Sequence, residues 1–451
     1  MSVASRLKGW VQDPVRAVQL VLVLGVLTGA AVSQQPLLLV AGVVGLGVAW
    51  VGASRPLLLV AAMFVAMLFD KLGLTGAKLG DFPITMSKLS VLGGLGLWTA
   101  HALLQRKPLL RWHPALGGLG AFFLATLLSA VLNNSLEAGK FSVYGLLMMF
   151  VLVALVFAIL AEADLRPLYL FLGGAVALAL AASILSSGGG GAGESARASG
   201  TYGDPNEWAT MVLLLVAMSL GGLAPMPGLL ARGLRLALLA LGPLAVLHSG
   251  SRAGLVVGCL VAVGCLVLLR RRWIEPVGVG GLGLLAAPFV LDLSALLYRV
   301  DLLLENLRGG STVQDVSLNE RTEIYRQGWA LFSDHWLLGV GPGNFARATG
   351  FISESGRYRP AHNTYLEIAA EQGMVGLSVA LVFVGLVVWG LWRAFRITQD
   401  PEQRARISGL ALGLAAVGAM AATLGLLTFS MAFLAVGVAL AVCWQAEHER
   451  V

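Results

Sequence analysis

Charge is scarce in this chain. Only 12% of its 451 residues are Asp, Glu, Lys or Arg, while 57% are apolar, and the mean hydropathy is +0.83. Soluble domains carry about 25% charged residues, so a soluble globular fold is excluded. Cysteine is scarcer still. Cys259, Cys265 and Cys443 all sit in apolar segments. They form no disulfide framework and no metal-ligand spacing, and read as small packing residues. No cluster of His and Cys has ligand spacing, and no connecting loop on the side argued below to be outer carries an Asp-x-Asp pair. GxSxG and Walker sequences are missing as well.

What is there comes in apolar runs. A membrane span needs about 20 apolar residues, and about fourteen candidates follow one another. They are 17–32, 36–53, 56–70, 86–104, 115–132, 141–161, 167–186, 207–224, 233–249, 252–269, 274–291, 373–392, 406–424 and 426–443. Basic residues precede the first run, as in a signal peptide, but further runs follow at once, so it reads as an uncleaved anchor. The expected fold is all-α, a polytopic integral membrane protein of about 12–14 helices with one large extracytoplasmic loop containing amphipathic helices. Four parts are expected: helices over 1–186, helices bearing outer-face arginines over 187–292, a large loop over 293–365, and helices over 366–451.

The net charge of +7 does not point to nucleic acid. Cytoplasmic loops of membrane proteins are enriched in Lys and Arg. One alternating set of connections holds Arg6, Lys8 and Arg16; Arg55; Arg106, Lys107 and Arg111; Arg166; Arg232 and Arg235; Arg270, Arg271 and Arg272; Arg393, Arg396, Arg404 and Arg406; and Arg450. That is 18 of the 31 basic residues. The opposite set, outside the long loop, holds Lys71, Lys78, Lys88, Lys140, Arg197 and Arg252. Both termini are therefore expected in the cytoplasm, and 187–206 and 293–365 outside.

The long loop is arginine-rich on the side where arginine is normally sparse. It contains Arg299, Arg308, Arg321, Arg326, Arg347, Arg357 and Arg359. Arg321 to Trp336 reads as an amphipathic helix, with Tyr325, Trp329, Phe332 and Trp336 on one face. Trp and Tyr favour the membrane interface, so the helix is expected flat on the outer surface or packed on the bundle. Residues 338–345, Leu-Gly-Val-Gly-Pro-Gly-Asn-Phe, are expected to turn sharply through glycines at positive φ.

Three residues stand out for chemistry. Arg252 lies in His-Ser-Gly-Ser-Arg-Ala-Gly (248–254), between two runs; charge at that depth is expensive and usually functional. Read blandly, it is a headgroup anchor. Arg321 offers a planar fork suited to phosphate. His362 can accept a proton near neutrality. Arg197 follows the flexible Ser-Ser-Gly-Gly-Gly-Gly-Ala-Gly (186–193) and is a further candidate for anion binding. Asp204 and Asn206 read as helix caps. Asn363 and Tyr365, beside His362, are candidates for orienting its ring or a substrate. With no outer carboxylate pair, a pyrophosphate would be neutralised by arginine, and no metal or cofactor is expected.

Ser-Gly-Ser-Arg-Ala-Gly (249–254), Arg-x3-Tyr-x3-Trp (321–329), the glycine turn at 338–345 and His-Asn-Thr-Tyr-Leu (362–366) together resemble the O-antigen ligase and O-antigen polymerase superfamily. The resemblance covers roughly 190–390, and the order of the motifs around one loop is its specific part. It implies a glycosyltransferase at the outer leaflet of the inner membrane, metal- and nucleotide-independent. A glycan on undecaprenyl pyrophosphate would be the donor and a hydroxyl on a glycan or lipid the acceptor. Carried over by motif, Arg252 and Arg321 would bind pyrophosphate and His362 would position or deprotonate the hydroxyl. One large outer loop favours a ligase acting on lipid A–core. A polymerase with the same chemistry is the alternative; an Arg-x10-Gly pattern occurs once among the outer arginines, at Arg299–Gly310, as chance would give. A transporter or lipid flippase is the distant alternative. Internal repeats and broken helices would mark one, and neither is evident here.

Overall fold

In a computed structural model of the chain, residues 56–69, 78–79, 82–83, 85–185, 199–201, 204–269, 275–291, 297, 316–350 and 360–448 are described. The expected spans at 17–32 and 36–53 lie outside them, as do Arg197 and most of 293–315. The architecture is helical. Helix α1 covers Leu57–Leu68. A two-residue antiparallel ladder follows, β1 (Lys78–Leu79) with β2 (Phe82–Pro83), in the register Lys78↔Pro83. Then come α2 (Met86–Leu104), α3 (Pro114–Leu132), α4 (Leu136–Leu160), α5 (Arg166–Leu185), α6 (Pro205–Leu223), α7 (Leu229–Ser249) and α8 (Arg252–Leu268). A π-turn at Glu275–Gly280 leads into α9 (Gly281–Val290). The last group is α10 (Val316–Asp334), α11 (Phe345–Thr349), α12 (Thr364–Ile397), α13 (Pro401–Met420) and α14 (Ser430–His448). Seven of the described helices, α3 to α7, α12 and α14, are long and apolar enough to cross a membrane.

The helix starts follow from local chemistry. Pro114, Pro205 and Pro401 occupy the first turn, where a missing N–H removes nothing. The residue before each is a cap. Asp204 accepts from Asn206 N and Glu207 N at 2.7 and 3.0 Å, and Asp400 does the same for α13. So Asp204 is the cap the sequence suggested, while Asn206 sits inside the helix. Before α3 the cap is His113, whose Nδ1 accepts from Ala115 N at 3.2 Å.

Helix α6 lies at the centre, with every residue from Trp208 to Leu223 buried. A helix apolar all round belongs inside a bundle. It packs closest against α13, and small residues make that possible. A Cβ on Gly409 would stand 2.6 Å from Ala217 O, and one on Gly413 2.8 Å from Leu214 O. Backbones approach this closely only at small-residue interfaces. Elsewhere the apolar surface points outward: Val256, Leu260 and Val263 on α8 and Val382, Val388 and Trp392 on α12 are all exposed. Such a belt is a liability in water and is covered by lipid in a membrane. The chain is a multi-pass membrane protein.

The two ends of the bundle differ. The end formed by 105–113, 161–165 and 398–406 carries paired charges, with Arg111 on Glu162, Arg166 on Glu402 at 3.0 Å and Arg406 on Glu402 at 3.1 Å. The opposite end gathers the turn at 133–135, the helix α10, the glycine turn 338–345 and the connection 421–429.

One feature departs from the sequence reading. The apolar run at 373–392 is only part of α12. The helix begins at Thr364 and is broken at Gly373, where φ is 64° and ψ −163°. A broken helix was the mark of a transporter that the sequence did not display. This break is filled by backbone. Val340 N and Gly341 N donate to Ala370 O and Glu371 O at 3.0 and 2.8 Å, while Met374 N and Val375 N donate to Trp336 O and Leu337 O at 2.8 and 3.3 Å. Non-helical backbone at membrane depth survives only where protein satisfies its polar groups.

Candidate active site

The site is built on the segment that fills that break. Gly339, Gly341 and Gly343 have φ of 68°, 89° and 76°, as the sequence indicated. Each is also wedged: added Cβ atoms would meet Glu371 C, Ser135 Oγ and Ala138 O at 2.2 Å. The turn is thereby clamped between the α3–α4 connection and α12. It leaves α11 and α10 lying over the start of α12, around a small core of Ile324, Phe345, Ala361 and Ala370.

Helix α10 packs differently from its aromatic pattern. Its inward residues are Ile324 and Gly328, the latter facing Leu366 and Phe345. Of the expected aromatic face, Tyr325 turns inward, but Trp329 and Trp336 are 63% and 58% exposed. Gly328 lets the helix sit close to α12, so the bundle takes the Ile324 side and the tryptophans are left at its rim.

His362 is half-buried, with φ of 47°, a left-handed conformation in which His is one of the commoner non-glycine residues. Its backbone is fixed on both sides. The Tyr325 hydroxyl lies 3.3 Å from His362 O and 3.3 Å from Ala422 O. Two residues on, Thr364 is tied to the 421–429 connection: its N donates to Ala421 O at 2.8 Å, and its Oγ1 donates to Leu424 O and accepts from Leu426 N. Three elements distant in sequence thus converge on His362.

Arg321 lies one turn before Tyr325, on the same side of α10. It is half-buried and makes no hydrogen bond or ion pair with the described residues. Arg326 contrasts with it. That guanidinium is engaged bidentately by Glu323, at 2.7 and 2.9 Å, and this pairing, with a further bond from Gln327, holds the exposed Glu323 carboxyl down at about 2. Arg252 opens α8, just after the cap Ser251, whose Oγ accepts from Gly254 N at 3.1 Å. The first turn of α8 lies against α6, where Gly254 faces Ala209. Tyr325 links the helix that carries Arg321 to His362, and Arg252 lies on the same end of the bundle.

Two further candidates have structural work. Asn363 caps α12, its Oδ1 accepting from Tyr365 N and Leu366 N at 3.1 Å. The Tyr365 hydroxyl donates to Gly418 O at 2.8 Å. Tyr365 also lines an apolar cavity of about 620 Å³ between α12, α13 and α14. Thr364 and Ile368 line its near end; Trp392, Phe395 and Ile407 line the far one.

Two acids were missed by the sequence reading. Glu371 is buried and accepts from Phe345 N at 3.0 Å. Glu367, four residues earlier on α12, stands beside Gly425, 3.3 Å from where a Cβ would be. Two glutamates four apart, directly after a histidine and next to an apolar run, were the available signal. Among the described residues no three His, Cys, Asp or Glu side chains form a metal-binding group.

Residues 236–381 match the family model described as O-antigen ligase. That segment holds Arg252, Arg321, the glycine turn, His362 and both glutamates, and it supports the O-antigen ligase and polymerase superfamily. No curated protein matches the chain.

Proposed function

With an O-antigen ligase-family glycosyltransferase as the premise, we propose that this chain moves a glycan from undecaprenyl pyrophosphate to an acceptor hydroxyl at the outer face of the bacterial inner membrane. The acceptor is lipid A–core, which makes the protein an O-antigen ligase. The end carrying α10 and His362 faces outward, and the end with paired arginines and both termini faces the cytoplasm, in keeping with the 18 basic residues in that set of connections.

The observation that carries the reading is the Tyr325 contact to His362 O, with Arg321 one turn away and unpaired among the described residues. His362 takes the proton of the acceptor hydroxyl as that oxygen attacks the anomeric carbon. Lipid pyrophosphate leaves, and the guanidinium groups of Arg321 and Arg252 stabilise the charge that develops on it. Arg197 assists binding. Asn363 and Tyr365 orient the histidine through the helix start they fix. No metal or cofactor takes part.

The test is transfer by purified full-length protein supplied with undecaprenyl-pyrophosphate-linked glycan and lipid A–core. Formation of glycan-extended lipid A–core, surviving EDTA, is expected. Extension of the lipid-linked glycan instead would make the protein a polymerase. Loss in EDTA with recovery on Mg²⁺ or Mn²⁺ would overturn the arginine-only mechanism.

A further inference from the structure

Among the described side chains, partly buried charged groups have a hydrogen-bond or charge partner, with two exceptions at the site. Arg235, only 1% exposed, is held by Glu275 at 3.1 Å; Glu447 lies on Arg393 at 3.4 Å; Glu371 takes the Phe345 amide. Among the glutamates whose side chains are described, Glu367 is the one with no side-chain hydrogen bond or ion pair. Arg321 is the other exception. They sit on α10 and α12, which pack together, and the Tyr325–His362 contact joins the same two elements.

A partly buried carboxyl with no side-chain partner among the described residues has its hydrogen-bonding capacity unspent. Arg321 already has a use, because the leaving pyrophosphate is an anion. A carboxylate would repel that anion, so Glu367 suits the other reactant. Its oxygens accept hydrogen bonds from sugar hydroxyls. Glu367 is half-buried. It faces the bare α-carbon of Gly425, in the connection that also holds Thr364 and receives the Tyr325 hydroxyl at Ala422 O.

We propose that Glu367 binds the acceptor, taking hydrogen bonds from sugar hydroxyls so that the attacking one points at His362. The proposal rests on the transferase reading above. Glu367 accepts no proton in the reaction; the attacking hydroxyl's proton goes to His362.

The experiment is steady-state transfer by the full chain, with donor saturating and lipid A–core titrated, then the reverse. Glu367→Ala should raise the KM for lipid A–core by about tenfold, the loss expected for one or two hydrogen bonds, and leave the donor KM within about twofold. Glu367→Gln keeps one acceptor oxygen and should fall between. Gly425→Ala places a methyl against the carboxylate and should also raise the acceptor KM. If Glu367→Ala does not fold, the other two variants decide. Wild-type turnover with an unmoved acceptor KM in Glu367→Gln and Gly425→Ala would overturn the proposal alone, as would a rise confined to the donor KM. A wild-type protein silent with every acceptor would overturn the transferase reading and this proposal together.

Discussion

The hydroxyl of Tyr325 lies 3.3 Å from the main-chain oxygen of His362 and the same distance from that of Ala422. One side chain on α10 therefore ties the residue before α12 to the α13–α14 connection. The phenol has a single proton, so it serves the two oxygens by turns or by sharing. Tyr325→Phe removes that tie and keeps the ring. It should lower stability by about 0.5–1.5 kcal/mol, the net worth of one hydrogen bond, while lowering turnover by a larger factor than that implies, because His362 loses a support. Melting temperature and transfer rate measured on one preparation check this. A proportionate loss of both would show that Tyr325 serves folding alone.

The arginines should behave as forks as well as charges. Arg321→Lys and Arg252→Lys keep a positive charge but lose bidentate geometry. Each should weaken binding of the donor lipid and cut transfer, with the fold intact. Arg326→Lys is the control, since Arg326 is occupied by Glu323 on an exposed helix face. If the three variants transfer glycan at equal, wild-type rates, Arg321 and Arg252 are anchors to lipid headgroups.

Much of this protein could be read from the chain, and what could not has physical reasons. Spans such as 115–132 and 141–161 fell on α3 and α4 because hydropathy and length decide a membrane helix. The start of α12 was missed for the same reason: Glu367, Glu371 and Gln372 dilute the apolar signal, and Gly373 breaks the helix. The residue types Arg252, Arg321 and His362 were conspicuous on a side where charge is sparse. The meeting of Tyr325 with Ala422 was invisible, because nothing in a linear pattern links a loop helix to a connection about a hundred residues away. The aromatic stripe over 325–336 left two placements open, on the outer surface or against the bundle; Gly328 decided which side of α10 docked.

Gly373 should tolerate no side chain. Its φ and ψ of 64° and −163° belong to glycine, and an added Cβ would stand 2.3 Å from the carbonyl carbon of Leu337. Backbone strain of this sort costs about 1–3 kcal/mol before the clash is counted. Gly373→Ala should thus lower the melting temperature and dislodge the 336–341 segment that fills the break. Gly385→Ala, later in the same helix with nothing within 4 Å, should be neutral or mildly stabilising. Equal effects of the two would mean the break is not held by this contact.

His113 should make the protein acid-sensitive from the end with the paired charges. Burial pushes its imidazole below the usual value; Glu447 opposes this and Arg393 reinforces it. Its Nδ1 is also the acceptor that caps α3. The folded state thus resists the proton that the unfolded state accepts below about pH 6.5. The stability held above that value is lost as pH falls through it. His113→Asn keeps a cap and removes the titration. Between pH 7.5 and 5 its melting temperature should fall less than that of the wild type; identical falls would remove His113 as the cause.

His362 carries the most exacting prediction, because it separates chemistry from binding. As the base, it must be neutral to work, so transfer should decline on the acid side of the pH profile. His362→Ala should lower turnover by about 10²–10⁴, the usual value of a general base, while the donor lipid binds as before, since the arginines remain. Backbone strain offers a second reason for a loss, because φ of 47° suits His and Asn better than Ala. His362→Asn resolves the two. Asn accepts the left-handed conformation yet has no basic nitrogen. If His362 is only a turn residue before α12, His362→Asn keeps near-normal transfer and an unchanged pH profile. If it is the base, His362→Asn folds, binds donor and fails at the chemical step, and its residual rate no longer declines on the acid side.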